Sequence, residues 1–395
     1  MTSLSTTAPT RWRPHAAVLA VGTFAMGTDA FVIAGVLPDI AGELGIGVGA
    51  AGQLVSVFSL AYALLAPVLA ALTASWPRRR VLVTALVVFA VGNVVTALAP
   101  GYLPVLASRV VAAAGAALYT ANASATAAAL AGEAQRGRAI AVVMLGVTSS
   151  LVLGAPLGTA IGTAWGWRST MWFVTALALV AAPFIALRLP EIAQGPAARL
   201  RQRLAPLADR GVLRVLVTTV VAFVGIYIPY TYLSAIFEPA TGGSGDRLAL
   251  LILLFGIAGT VGNLVAGQLA DRLGARRVVV SATLLLTLVF LAMPFLRAAF
   301  VPALLVVLVS GVFSFGVTTP QQHQIIARAP GAQSLVISLY QSALYLAISL
   351  ASVLGAAGLG VADALWLPVL AAVFTFLAAA LTWLDRRSRQ VASDH

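Results

Sequence analysis

The sequence predicts an all-α integral membrane protein with twelve transmembrane helices arranged as two six-helix halves. Its 395 residues are 61% hydrophobic and only 9% charged, and the mean hydropathy of +1.00 lies outside the range of soluble globular domains. Uncharged runs also tile nearly the whole chain, giving twelve spans of at least the roughly 19–20 residues that a helix needs to cross hydrocarbon. Because no run alternates in polarity as barrel strands do, we expect a helical bundle.

Each predicted span is one of these runs, taken in chain order. The first span joins the two runs that flank Asp29, and the longer runs include helix ends and turns. The runs cover residues 16–28 with 30–38, 44–77, 81–108, 110–132, 139–167, 169–187, 215–237, 248–270, 278–296, 298–327, 329–362 and 364–384.

Arginine supplies all 24 positive side chains, and its distribution predicts the orientation. With the N-terminus in the cytoplasm, twenty arginines lie on the cytoplasmic side, Arg168, Arg247 and Arg297 lie at outer ends, and Arg109 lies inside a span. This asymmetry follows the positive-inside rule. We therefore expect a multi-pass protein of the cytoplasmic membrane with both termini in the cytoplasm. The first span is too long for the apolar core of a signal peptide, so we expect it to stay attached.

Composition also excludes several classes of function. The net charge of +12 is spread over short loops as topology requires, which argues against a nucleic-acid partner. The chain has no cysteine, and its three histidines are far apart, so we expect no disulfide and no metal site. Without lysine it cannot carry a G-x-x-x-x-G-K-[ST] phosphate loop. We expect no enzyme activity and no cofactor, and any pumping must use an ion gradient such as that of protons.

A charged, proline-containing segment separates six spans from six. It is "RLPEIAQGPAARLRQRLAPLADRGVLR", and it divides the chain into an N-terminal half (1–190), a cytoplasmic linker (191–211) and a C-terminal half (212–395). The loops "AALTASWPRRR" (70–80) and "GQLADRLGARR" (267–277) lie half a chain apart and end alike. Parallel six-helix halves with a binding site between them near the midplane are the architecture this indicates.

Several stretches resemble the major facilitator superfamily. The loop at 267–277 resembles that family's G-x-L-a-D-R-x-G-R-R signature, "LASRVVAAAGAAL" resembles its fourth-helix arginine motif with Arg109 as the arginine, and "VLGAPLGTAIG" (152–162) resembles the fifth-helix Gly-Pro motif of its antiporters. "GTDAFVIAGVLPDIAGELG" and "GWRSTMWF" are similar to the branch of chloramphenicol-resistance and sugar- or purine-efflux exporters. The resemblance covers essentially the whole chain and implies the major facilitator fold.

Two departures accompany this resemblance. The first loop lacks the acid, arginine and second glycine of the signature, which is usual in that branch. The better-known first-helix form is G-T-x-E-F, whereas here Ala30 stands at the glutamate position and Asp29 supplies the acid, turned by about 100° around the helix.

Asp29 is the only acid deep within a predicted span. A charged Asp at a helix centre costs roughly 2.5–3.5 kcal/mol on insertion scales, so such residues tend to be functional. We expect Asp29 to carry protons or to meet a cationic substrate; the alternative is a structural hydrogen bond or an arginine pair that never titrates. Arg109 is its natural counterpart. The resemblance implies a role for Arg109 in proton transfer and charge balance, and the alternative is a side chain that snorkels to the outer interface.

Two further motifs predict conformational roles. Gly154, Gly158 and Gly162 recur every fourth residue around Pro156, which favours close helix packing. In the family's antiporters this region seals the cavity against ion leak; the alternative is packing alone. Gly267, Asp271, Arg272, Gly274, Arg276 and Arg277 are expected to form a cytoplasmic gate whose charges pair in one conformational state only.

Polar and aromatic faces predict the substrate cavity. They lie on spans four, seven and eleven, and include Tyr119, Asn122, Tyr227, Tyr230, Ser338, Gln341 and Tyr345. Rings with a few hydroxyls and amides suit amphipathic small molecules, although hydrogen bonding between helices would explain any one of these residues equally well. We expect a monomeric, proton-coupled exporter of small amphipathic compounds such as phenicol antibiotics. The alternatives are a sugar, nucleoside or other metabolite exporter, a proton-coupled uptake symporter, and a non-transporting sensor.

Overall fold

The structure, a computed structural model, describes residues 12–132, 135–191, 200–329 and 332–385. Within these ranges twelve helices are long and apolar enough to cross a membrane, which confirms the predicted fold class. The helices are α1 (Trp12–Leu44), α2 (Val48–Leu72), α3 (Arg78–Leu98), α4 (Tyr102–Ala131), α5 (Arg136–Trp165), α6 (Trp167–Arg188), α7 (Arg210–Thr231), α8 (Gly245–Leu273), α9 (Ala275–Leu296), α10 (Phe300–Arg328), α11 (Gln333–Val361) and α12 (Leu367–Leu384).

Two of these helices are interrupted near their middle. In α5 a π-helical turn, Ser150–Gly154, precedes Pro156, and the Ala155 N–H donates to the carbonyl of Ser150. In α10 the α-helix ends at Phe315 and resumes at Thr318. Such breaks loosen the backbone hydrogen bonding and are common where a membrane helix borders a cavity.

The two halves repeat one packing scheme. In the N-terminal half α1 packs against α5 and α6, α2 against α4, and α3 against α4 and α6. In the C-terminal half α7 packs against α11 and α12, α8 against α10, and α9 against α10 and α12. Across the halves α2 packs on α11 and α5 on α8. Each half therefore has the same arrangement with an offset of six helices.

The helices alternate in direction, so their connections lie at two ends of the bundle. The α2–α3, α4–α5, α6–α7, α8–α9 and α10–α11 connections share one end, here called the arginine-rich end, and the others share the opposite end. Before α7, the side chain of Asp209 accepts a hydrogen bond from the Val212 N–H at 2.8 Å and caps that helix. Residues 192–199 of the predicted linker, and residues 1–11 and 386–395 of the predicted halves, lie outside the described residues.

Candidate functional site

An ion pair is buried inside the N-terminal half. Nη1 of Arg109 on α4 donates to Oδ1 of Asp29 on α1 at 2.8 Å, and the two side chains are 1% and 0% exposed. The sequence left open whether these residues meet directly, and the structure places them in direct contact. A pair so fully removed from water is held together by strong attraction but costs several kcal/mol per ion to desolvate.

Neither member of this pair has all its hydrogen-bonding groups occupied. Oδ2 of Asp29 and Nε of Arg109 have no partner among the described residues. The guanidinium of Arg109 lies 4.5 Å from the ring centroid of Phe58, a cation–π contact that holds it from the α2 side. The open carboxylate oxygen is therefore the atom of the pair that can accept a proton or a water molecule.

The glycine stripe of α5 packs directly against the helix that carries Asp29. A Cβ added at Gly154 would lie 2.0 Å from Oγ1 of Thr28, and one added at Gly158 would lie 2.5 Å from Cγ2 of Val32. At Gly162 it would lie 2.6 Å from a methyl group of Val36. The stripe, with Pro156 between its first two glycines, thus lets α5 approach α1 on both sides of the acid. It therefore fixes α1 within the N-terminal half.

A cavity of about 270 Å³ lies between the two halves. Its lining combines aromatic rings with side-chain amides and hydroxyls, and among the described residues that line it none is charged. The polar and aromatic lining residues are Phe31, Tyr62, Thr120, Thr148, Phe223, Tyr227, Thr260, Asn263, Phe315, Thr318, Thr319, Gln322, Tyr340, Gln341 and Tyr345. Asp29 does not line the cavity, but its helix neighbour Ala30 does.

Some of the residues predicted from sequence line this cavity. Tyr227, Gln341 and Tyr345 do so. Tyr230 lines a narrow adjoining pocket with Tyr227 and Tyr345, and its hydroxyl donates to the carbonyl of Phe31 at 3.2 Å.

The other predicted cavity residues lie elsewhere. Tyr119 is fully buried within the N-terminal half and donates to the carbonyl of Leu19 at 3.1 Å. Asn122 donates to the Leu118 carbonyl of its own helix at 2.7 Å. Neither these two nor Ser338 is part of the cavity lining. The hydroxyl of Tyr119 and the amide of Asn122 are thus satisfied by backbone carbonyls, which is a role in helix packing.

Tyr62 is a lining residue that sequence reasoning missed. Its ring stacks on that of Tyr345 across the two halves, with centroids 3.6 Å apart and planes 19° apart. Tyr62 is the sole ring in the second half of α2, within an otherwise small and aliphatic run, and that isolation is the signal that marks it. Thr120, one residue after Tyr119, lines the cavity where its neighbour does not, because successive residues on a helix face different directions.

The halves are joined firmly between this cavity and the opposite end. Ser352 donates to the carbonyl of Gly52 at 2.6 Å, and Ser56 donates to that of Ser349 at 3.1 Å. Within the C-terminal half, Tyr232 donates to the carbonyl of Ser352 at 2.7 Å and so supports this contact. On the other side of the bundle, Gly256 of α8 lies against the backbone of Leu151 in α5. The cavity lies on the arginine-rich side of these contacts.

The predicted gate loop joins α8 to α9 at the arginine-rich end. Gly274 ends α8 with φ of +86°, a conformation that other residues rarely adopt. Arg276 donates to the carbonyls of Thr382 and Trp383 at 2.8 and 2.7 Å, which caps the C-terminus of α12. Asp271 is largely exposed, and its carboxylate lies 3.9 Å from Nδ1 of His323 on α10. These contacts all lie within the C-terminal half.

The remaining residues of that loop make less specific contacts. Arg272 and Arg277 are exposed. Gly267 approaches Thr319 only at ordinary van der Waals distance. The loop is thus fastened through Arg276, while its acid and two of its arginines face outward.

A second charged cluster ties three helices together at the same end. Asp385, directly after α12, forms ion pairs with Arg328 of α10 and, at 3.3 Å, with Arg214 of α7. Arg328 also donates to the carbonyl of Gly211 at 2.9 Å. Burial raises the pKa of Asp385, but the hydrogen bonds and charges of Arg328 and Arg214 outweigh burial, so its pKa lies below the ordinary value.

Twelve spans in two repeated halves, with an uncharged cavity between them, define a multi-pass membrane protein of the transporter class. The chain belongs to the Major Facilitator Superfamily, whose family model matches residues 19–238 and 215–394. The family and the names of the relatives indicate a transporter and not an enzyme. No group of three or more potential metal ligands occurs in the ranges that the structure covers.

Relatives extend over almost the full chain. An uncharacterized transporter of the family from Bacillus subtilis is 33% identical over 380 residues, covering 95% of this chain and 97% of its own. A chloramphenicol resistance protein of Streptomyces lividans is 35% identical over 348 residues, covering 87% of this chain and 88% of its own. Among solved structures, a D-xylose–proton symporter superposes with a TM-score of 0.73 at 19% identity, covering 93% of this chain and 96% of its own, which shows the shared fold.

Proposed function

We propose that this transporter exports small, uncharged amphipathic compounds of the phenicol type in exchange for protons, by alternating access between its two halves. The observation that carries the proposal is the buried pair between Asp29 of α1 and Arg109 of α4. Ala30, the residue after Asp29, lines an uncharged cavity. A titratable group placed beside a binding cavity, but not in it, suits coupling of a proton to a substrate that itself carries no charge.

The proposed proton site is Oδ2 of Asp29. That oxygen has no partner among the described residues, while Oδ1 accepts from Arg109. In the proposed cycle Asp29 is unprotonated and paired with Arg109 while the cavity faces the cytoplasm and binds substrate. As the substrate leaves on the outer side, Asp29 takes a proton from there and its hold on Arg109 weakens. Because α5 packs so closely on α1, a change at Asp29 is transmitted to the helix that meets α8 of the other half.

The lining of the cavity supports the substrate class. Aromatic rings such as Tyr62 and Tyr345 offer faces for a planar ring, while Asn263, Gln322 and Gln341 offer amides to hydroxyl and amide groups. An organic cation would find no carboxylate among the described lining residues to offset the loss of its hydration. The similarity to the Streptomyces lividans chloramphenicol resistance protein agrees with a phenicol.

The same amides and hydroxyls would suit a sugar or nucleoside, so a metabolite exporter is the second candidate.

The arginine distribution supports the proposed location. The sequence assigns twenty of the 24 arginines to the termini and connections on the side of the arginine-rich end, and by the positive-inside rule this end faces the cytoplasm of a bacterial-type inner membrane. Both α1 and α12 meet that end, so both termini are proposed to be cytoplasmic. The contacts that join the halves beyond the cavity then lie on its outer side. Since one chain encloses the whole cavity, a monomer suffices for transport.

The experiment is growth of a pump-deficient bacterium that expresses the wild type or Asp29→Asn at matched membrane levels. The panel contains phenicols, cationic dyes, nucleoside analogues and toxic sugars. Asp39→Asn is the control, because Asp39 is an exposed acid farther along the same helix. We expect protection against phenicols by the wild type and the control but not by Asp29→Asn. If Asp29→Asn still protects, Asp29 does not couple transport to protons. Protection confined to sugars or nucleosides would favour the second candidate. Sensitisation of the cells would indicate uptake.

A further inference from the structure

A groove of about 400 Å³ lies outside the central cavity, at the arginine-rich end of the C-terminal half. It runs between the start of α7, the second segment of α10 and the end of α12. Its apolar wall consists of Leu213, Val217, Leu381 and Leu384, which are 45%, 45%, 39% and 50% exposed. Because these residues lie on membrane-spanning helices and face outward, bilayer lipid must cover them.

Unpartnered amide groups lie inside the groove. Gln321 is only 1% exposed, yet neither its Nε2 nor its Oε1 has a hydrogen-bond partner among the described residues. Nε2 of Gln324, one helical turn nearer the end of α10, also has none. Buried polar groups are nearly always hydrogen-bonded because leaving one unpaired is costly. Two glutamines on the same groove thus point to a polar ligand that is absent from the protein chain itself.

Positive charge lies at the end of the groove that meets the membrane surface. The guanidinium of Arg214 is half exposed, while Arg328 and Asp385 beside it are largely buried in contact with each other. Arg214 and Arg328 thus place two guanidinium groups around Asp385 at this end of the groove. The groove therefore combines a cation at its surface end with amides and apolar side chains along its length.

We propose that this groove binds one anionic phospholipid. Its phosphate lies at Arg214, its ester carbonyls accept hydrogen bonds from the Nε2 groups of Gln324 and Gln321, and an acyl chain follows Val217 and Leu381. The groove offers a cation to a phosphate, amides to ester carbonyls and an apolar wall to an acyl chain, and a basic pocket between helices on the cytoplasmic side is a suitable place for an anionic headgroup. A soluble phosphate compound would satisfy the charge but leave the apolar wall without a partner. The proposal does not depend on what the central cavity transports.

The first test is native mass spectrometry of the purified chain after reconstitution with equal amounts of phosphatidylglycerol and phosphatidylcholine. The variants are Arg214→Gln and Val217→Trp, and the control is Leu288→Trp, at a 63% exposed position of α9 outside the groove. We expect the wild type and the control to retain phosphatidylglycerol in preference to phosphatidylcholine. Arg214→Gln should retain about fivefold less of it, the change expected for losing one arginine contact at a membrane surface. Val217→Trp should also retain less of it, because the larger side chain fills the path of the acyl chain. Equal retention by all four proteins, or no preference between the two lipids, would overturn the proposal.

A second variant tests the amide directly. In detergent without lipid, Gln321→Leu should melt at a higher temperature than the wild type, because it removes an unpaired buried amide. Added phosphatidylglycerol should raise the melting temperature of the wild type more than that of Gln321→Leu. If phosphatidylglycerol stabilises both proteins equally, the amide does not contact the lipid and the proposed arrangement is wrong.

Discussion

Replacing Asp29 by asparagine removes the negative partner of Arg109 and leaves a buried cation. The two groups are 2.8 Å apart and at most 1% exposed. Charges about 4 Å apart attract by about 4 kcal/mol at an effective dielectric constant near 20, and removing one member of a buried pair typically costs about 3–5 kcal/mol. Arginine cannot escape by losing its proton, so we expect Asp29→Asn to lower the free energy of unfolding by about that amount.

The double variant separates pairing from coupling. With Asp29→Asn and Arg109→Met together no charge remains buried, so most of the lost stability should return, apart from about 2 kcal/mol for the contact with Phe58. Unfolding in mixed micelles, followed by tryptophan fluorescence, gives the four free energies of the cycle. Glu43→Gln is the control, because its pair with Arg168 is exposed and should be worth less than about 1 kcal/mol. A stable Asp29→Asn, or a double variant no better than the single ones, would refute the reasoning.

Three other variants have definite expected outcomes. Gly154→Val places a Cβ 2.0 Å from a threonine hydroxyl of α1 and should lower the free energy of unfolding by at least about 1–3 kcal/mol in the same assay. The control Gly42→Ala adds its Cβ in open space and should not lower it. Equal effects of the two variants would show that α5 does not need this close approach. Asp385→Asn should melt at a lower temperature than the wild type near neutral pH. The folded pKa of Asp385 lies below its ordinary value of 3.8, so its stabilising effect is complete above about pH 4 and is lost as pH falls through the folded pKa. The melting temperatures of the two proteins should therefore converge in acid. A difference that stays constant with pH would contradict the ion pairs. Tyr62→Leu should weaken phenicol binding about 2- to 10-fold in calorimetric titration, since an aromatic contact is worth about 0.5–1.5 kcal/mol; unchanged affinity would exclude Tyr62 from the site.

The sequence predicted the membrane spans well because they depend on local composition. Long uncharged runs and arginine placement suffice to locate twelve helices, and the repeated loops at 70–80 and 267–277 indicate two halves. The break of α10 was not predicted. It falls at Gly316 and Val317, in a region whose composition is as apolar as that of an unbroken helix.

The candidate site was harder to predict because it depends on which way each helix faces. Asp29 and Arg109 stood out as lone charges, but only the packing of α1 on α4 shows that they touch. Tyr119 and Thr120 show the limit: they are adjacent and both polar, yet the first is buried within its half and the second lines the cavity. Helix rotation about its own axis is set by packing across the whole bundle, which a small-residue-rich sequence with weak amphipathicity does not reveal.

Proton movement driven by a phenicol gradient tests the central proposal most directly. Proteoliposomes that contain a pH-sensitive dye and chloramphenicol are diluted into medium without the drug, and protein-free liposomes correct for leakage. Exchange of substrate for protons predicts that the lumen acidifies as the drug leaves with the wild type, and that it does not with Asp29→Asn. A lumen that becomes more alkaline would show that drug and protons move together, and a lumen whose pH does not change while the drug leaves through the protein would show that transport is not coupled to protons.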